Sequence, residues 1–113
     1  MNKVLADFYK RVGIEVVGAV TNEMHPSDFV KIPAGDHMMM AYELGKKAIR
    51  DNPDADGIYL GGGTWISEPI TRALEKETGK IVICNQTAQM YDIQEILGVR
   101  KPMPGRSRLL AEM

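Results

Sequence analysis

Short apolar runs alternate with segments of helical period along this chain, and this alternation is the strongest constraint on its fold. The runs of strand length are residues 14–20, 57–60 and 80–84, and each is largely apolar at consecutive positions. Such runs are typical of strands that are covered on both faces. Strands that alternate with helices favour parallel pairing and right-handed crossovers. The sequence therefore predicts one α/β domain over residues 1–113, doubly wound, with a parallel sheet flanked by helices.

Apolar residues spaced by three or four positions predict four main helices. The predicted spans are 1–12, 36–50, 67–79 and a last helix that ends at Gly98. Ser67 suits an N-cap, and Gly13, Gly79 and Gly98 suit helix ends. Asn85 or Thr87 would cap the last helix, whose inward-facing residues would be Met90, Ile93 and Leu97. Residues 21–35 contain two prolines and no usable period, which predicts a loop.

The predicted order begins with a helix, whereas a doubly wound domain normally begins with a strand near the middle of its sheet. We therefore expect a flavodoxin-like fold that lacks its first strand. The predicted strand at residues 14–20 would then have no direct neighbour. Because an unpaired strand edge is a template for pairing, we expect either a homo-oligomer or a complementary N-terminal half as partner.

Composition excludes several classes of function. The chain has 14 basic and 15 acidic residues, so it lacks the basic field of a nucleic-acid-binding protein. No apolar run approaches the length of a membrane span and no signal peptide is evident, which predicts a cytoplasmic protein without membrane partners. The single cysteine, Cys84, excludes an internal disulfide and a multi-cysteine zinc site, and we expect no metal site.

The residues that directly follow the strands are the candidate site, because ligands of open parallel sheets bind beyond the carboxyl ends of the strands. The predicted substrate-binding residues are Gly61, Gly62, Gly63, Thr64, Asn85, Gln86 and Thr87. Backbone N–H groups at the glycines, ahead of a helix, suit a carboxylate or an oxyanion, although a tight turn explains the glycines equally well. The glycine spacing fits neither a dinucleotide fingerprint nor a phosphate loop, so no such cofactor is expected.

The segment ADGIYLGGGTWISEPITRALEKETGKIVICNQTA resembles the second half of the aspartate/glutamate racemase superfamily, in the branch of maleate cis-trans isomerases and arylmalonate decarboxylases. RVGIEVVGA and LGVRKPMPGRSRLLAEM resemble further segments of the same half, so nearly the whole chain is covered. The resemblance implies the C-terminal half of a two-domain protein that acts on small carboxylic acids by cysteine chemistry, without metal or organic cofactor. The glycines would then hold a carboxylate.

The sequence departs from that family where the chemistry would occur. Aligned on Leu60 and Gly79, the catalytic cysteine of the family falls at Gly62, and glycine can neither donate a proton nor attack carbon. Cys84 falls where the family has a serine, so it is either a substitute catalytic thiol or a buried structural residue. Two hypotheses follow: an isomerase, racemase or decarboxylase, or a non-catalytic carboxylate-binding or truncated domain.

Overall fold

The computed structural model describes residues 3–21, 24–61 and 66–113. Two strands and six helices lie in these ranges. They are α1 (Lys3–Arg11), α2 (Pro26–Phe29), α3 (Ala34–Asp51), β1 (Gly57–Leu60), α4 (Glu68–Thr78), β2 (Ile81–Cys84), α5 (Asn85–Leu97) and α6 (Arg108–Glu112). None of the helices described is long and apolar enough to cross a membrane.

The two strands pair in parallel, with Leu60 opposite Cys84 at their carboxyl ends. Helices α3 and α4 pack against each other. In addition, α3 packs against β1 and α4 packs against β2. Helices α5 and α6 pack together and against β2. The predicted fold class, a small parallel sheet flanked by helices, is confirmed.

One buried cluster joins the sheet to α3 and α4. It consists of Phe29, Ala41, Ile58, Leu60, Leu74, Val82 and Cys84. Its strand members alternate with more exposed residues, since successive side chains of a strand point to opposite faces. The other face of β2 presents Ile83, which lines a shallow cavity with Ala88 of α5 and Leu109 of α6.

The predicted strand at residues 14–20 is wrong. Within the described residues the sheet contains only β1 and β2, and residues 14–20 have no strand assignment. A strand exists only where its backbone groups hydrogen-bond to a neighbouring strand, and residues 14–20 pair with neither β1 nor β2. Ile14 and Val17 are exposed as a result, whereas Val16 and Val20 are half-buried.

Three further predictions need correction. The inward face assigned to the last helix is wrong, because Met90, Ile93 and Leu97 of α5 are exposed. Within the predicted loop at residues 21–35, Pro26–Phe29 forms the short helix α2. Helix α6 was not predicted, because a five-residue helix is too short to show an apolar period.

Candidate functional site

The carboxyl ends of both strands meet at one edge of the sheet, as predicted. Leu60 and Cys84 are register partners, so the segments that follow them start side by side. Gly61 is exposed, and a Cβ placed there would lie 3.2 Å from Cε1 of Tyr59. The predicted site residues Gly62, Gly63 and Thr64 lie outside the described residues.

A hydrogen bond joins the start of α4 to the start of α5. The fully buried Ser67 donates its hydroxyl to Oε1 of Gln86 over 3.2 Å. Ser67 is the N-cap of α4, as predicted, but its hydroxyl makes no capping bond to that helix. The bond instead brings together two helix N-termini, each carrying partial positive charge.

Cys84 is fully buried and is the N-cap of α5. Oγ1 of Thr87 accepts the Cys84 N–H at 3.1 Å, donates to the Cys84 carbonyl at 3.0 Å, and lies 3.6 Å from the sulfur. The prediction that Asn85 or Thr87 is the N-cap is therefore wrong, although Thr87 does complete the cap from the third helical position. This burial agrees with the structural alternative for Cys84, since its thiol has no contact with solvent in this structure.

Tyr59 is the site residue that sequence reasoning missed. Its hydroxyl donates to Oδ1 of Asn85, the first residue of α5. Its ring makes an edge contact with the ring of Tyr9 in α1, with centroids 6.4 Å apart. The sequence signal that could have identified Tyr59 is the alternation of side chains in a strand. Tyr59 stands between Ile58 and Leu60, which face the core, so its own side chain points to the opposite face of the sheet. Asn85 is thus positioned by a phenol from the neighbouring strand.

The pKa of Tyr59 is raised above its ordinary value. Burial is the largest cause, and the neighbouring Tyr9 and Cys84 contribute. A tyrosine hydroxyl is already protonated at neutral pH, and the raised pKa extends to higher pH the range in which the Tyr59 hydroxyl can donate to Asn85. The raised pKa means that the protonated Tyr59 hydroxyl stabilises the folded state. This stabilisation is complete below the pKa of tyrosine in the unfolded chain, near 10, and is lost as the pH rises through the pKa of Tyr59 in the folded chain.

Tyr59→Phe should remove this pH-dependent contribution. We expect the difference in thermal midpoint between the natural chain and the variant to be constant from about pH 7 to 9 and to shrink above about pH 10. Tyr91→Phe is the matched control, because the Tyr91 hydroxyl donates only a long bond, 3.4 Å, to the carbonyl of Met113. A difference that already shrinks near neutral pH would contradict the raised pKa.

His25, in the segment before α2, is exposed, and its Nδ1 hydrogen-bonds to Ser27 Oγ at 2.7 Å. Across residues 3–21, 24–61 and 66–113, no three His, Cys, Asp or Glu side chains are grouped so that they could hold a metal ion. The described part of the site therefore offers hydroxyls, amides and helix N-termini as its chemical groups.

Comparison with known proteins identifies the family and the fold of this chain. The profile of the arylmalonate decarboxylase family matches residues 1–110. Among solved structures, a glycine-to-cysteine variant of arylmalonate decarboxylase in a sulfate-associated form matches with a TM-score of 0.80 at 21% identity, over 94% of this chain and 45% of that one. The unliganded decarboxylase matches with a TM-score of 0.78 at 21% identity, over 94% of this chain and 45% of that chain.

A further crystal structure of arylmalonate decarboxylase gives a TM-score of 0.78 at 21% identity, over 94% of this chain and 46% of that one. No curated protein sequence gives a significant match. The chain thus spans less than half the length of the decarboxylases whose fold it shares. Because the family profile covers nearly all of it, the chain belongs to the arylmalonate decarboxylase family.

Proposed function

We propose that this chain binds a small carboxylic acid of the malonate or maleate type at the carboxyl ends of β1 and β2. The binding groups would be the backbone N–H groups of Gly61, Gly62 and Gly63 and the side chain of Thr64 after β1, together with Asn85 and Gln86 at the start of α5. Thr87, also predicted as a binding residue, is fully buried with its hydroxyl bonded to Cys84, so it would support the helix start without contacting the ligand. The observation that carries the proposal is the Ser67 to Gln86 hydrogen bond, which brings the N-termini of α4 and α5 together.

The physical argument rests on charge. The first-turn N–H groups of a helix have no acceptor within the helix, and the helix dipole adds partial positive charge at the same end. Two adjacent helix N-termini attract an anion more strongly than a single helix N-terminus does. A carboxylate has two acceptor oxygens, so it can receive donors from both helix starts. Tyr59 supports this geometry because it fixes the side chain of Asn85.

Binding should appear as a ligand-dependent rise in thermal stability. At a malonate or maleate concentration ten times Kd, linkage predicts about 1.4 kcal/mol of stabilisation, which raises the melting temperature of a chain of this size by several degrees. The measurement is differential scanning fluorimetry with 0.1 to 20 mM ligand at constant ionic strength, with acetamide as the uncharged comparison.

Asn85→Asp is the most informative variant for this experiment. An aspartate keeps the oxygen that accepts the Tyr59 hydroxyl, and negative charge at a helix N-terminus stabilises the helix. The same charge repels a bound carboxylate, so we expect the ligand-induced shift to vanish while the fold is kept. Gln89→Glu is the control, since it adds equal charge to α5 at an exposed position beyond the first turn. An unchanged shift in Asn85→Asp would place the carboxylate elsewhere.

Binding and catalysis are separated by a second measurement. The family relationship favours proton transfer or decarboxylation at the carbon beside the carboxylate, whereas the buried Cys84 favours binding without chemistry. Incubation with a monosubstituted malonate in D₂O, followed by NMR, detects exchange at that carbon and loss of CO₂. Turnover that is abolished in Cys84→Ala would assign the thiol a catalytic role. Binding without exchange would support the non-catalytic alternative.

A further inference from the structure

The sheet of this chain has an open edge. β1 pairs with β2 along one side only, and no described residue pairs with its other side. In a strand, backbone groups point alternately to the two edges, so half of the N–H and C=O groups of β1 face this open side. Such an edge is a template for another strand.

The chain also contains a segment without regular structure that has no strand partner. Residues 14–20 read IEVVGAV, which is rich in the β-branched residues that strands prefer. They run without helix, turn or strand assignment, and Val17 keeps 55% of its surface exposed. The preceding helix, α1, contains no buried residue and exposes Leu5 and Phe8, and Val12 directly after it is exposed too. An unpaired segment and an apolar helix face therefore adjoin each other.

The exposed area of the chain is larger than a folded monomer of its size should have. The accessible surface is 7532 Å². For 12.6 kDa, the relation between mass and surface for folded monomers gives about 6,200 Å². The excess, about 1,300 Å², exceeds the roughly 800 Å² that each partner contributes to a stable interface of standard size.

We propose that a second copy of this chain covers this surface, and that residues 14–20 of each copy pair with the open edge of β1 in the other. Each copy holds one unpaired segment, residues 14–20, and the open edge of β1, so a two-fold dimer pairs both features twice. The outer edge of β2, which no described residue pairs either, lies outside this proposed interface. The apolar residues of α1 become buried at the same interface. This proposal does not depend on carboxylate binding, since it concerns the edge of β1 and not the strand ends.

Two measurements on the complete chain test the dimer. Sedimentation equilibrium from 1 to 100 µM should give twice the chain mass of 12.6 kDa. Hydrogen exchange followed by mass spectrometry should show protected amides in both residues 14–20 and β1 at high concentration, with faster exchange on dilution. A monomer throughout the range overturns the proposal, even if that monomer binds a separate α/β protein. A dimer in which residues 14–20 exchange like an unfolded chain also overturns it.

A charge in the proposed interface should separate the copies. Val17→Lys alters a side chain that is exposed in the single copy, so the variant should keep its circular dichroism spectrum and sediment as a monomer. Val30→Lys is the matched control, because Val30 is 59% exposed and follows α2, outside the proposed interface. It should remain a dimer. Equal sedimentation of the two variants would contradict the assigned surface.

Discussion

Replacing Glu75 by alanine is expected to lower the free energy of unfolding by about 4 kcal/mol, because one buried and one partly buried N–H donor lose a charged acceptor. Glu75 lies in α4 and is only 7% exposed. Its Oε2 accepts the N–H of Val82 in β2 at 3.1 Å, and its Oε1 accepts the N–H of Arg108 at 2.9 Å. One carboxylate thus joins α4 to the strand and to the start of α6. Urea denaturation followed by circular dichroism measures the loss.

Two comparison variants test this explanation of the Glu75→Ala loss. Glu75→Gln keeps one carbonyl acceptor and should fall between the natural chain and alanine, because one N–H then faces an amide donor. Glu77→Ala removes a carboxylate from the same helix, where the ion pair with Lys46 spans 3.7 Å and both side chains are at least a third exposed. Solvent screens this ion pair, so Glu77→Ala should lower the free energy of unfolding by only a small fraction of the loss expected for Glu75→Ala. Equal losses for the two alanine variants would show that helix propensity, not the buried bonds, dominates.

Local sequence signals predicted most of the helices and both observed strands. Gly79 and Gly98 end α4 and α5 in left-handed conformations, with φ of 70° and 68°. That conformation is accessible to glycine at little cost, so the helix ends were readable from residue type alone. The runs that became β1 and β2 were short, apolar and bounded by turn signals. Their pairing follows from the crossover rule for parallel strands.

Residues 14–20 and α5 show where local pattern fails. A β-branched run indicates that a segment can form a strand, but the strand exists only if a neighbouring edge accepts its hydrogen bonds. Likewise, the apolar spacing of Ile93 and Leu97 indicates that a face can be buried, yet both are exposed here. Such patterns show only what a segment is able to form, whereas its pairing and burial depend on neighbours elsewhere in the structure. The dimer proposed above would supply such a neighbour to residues 14–20.

The candidate site was predictable in position but not in detail. The rule that ligands bind beyond strand carboxyl ends selected the segments after Leu60 and Cys84. The contacts that organise the segment after β2 are tertiary: Ser67 bonds Gln86 across 19 positions and Tyr59 bonds Asn85 across 26. No spacing rule links residues so distant in sequence. Tyr59 was missed for that reason, because its role depends on the neighbouring strand.

Leu74→Ala is the second substitution with a large expected effect. Leu74 is fully buried in the cluster between α4, α3 and the sheet. Truncating a buried leucine removes transfer free energy and leaves a cavity, so we expect a loss of about 3 kcal/mol in urea denaturation. On α3 it faces Gly45, where a Cβ would stand 2.7 Å from Leu74 Cδ1 and 3.3 Å from Cδ2. The missing side chain at Gly45 is what lets the two helices approach at this point.

This contact predicts that the two positions are energetically coupled. Gly45→Ala alone gains helix propensity but forces Leu74 to move within a packed core, so we expect a net loss of about 1 kcal/mol. In the double variant the new methyl group occupies space vacated by Leu74, so its loss should be smaller than the sum of the single losses by about 1 kcal/mol or more. Gly35→Ala, also in α3, meets nothing within 4 Å and should be neutral or stabilising both alone and with Leu74→Ala. Additive losses for Gly45→Ala and Leu74→Ala would contradict direct packing of α3 on α4 at this point.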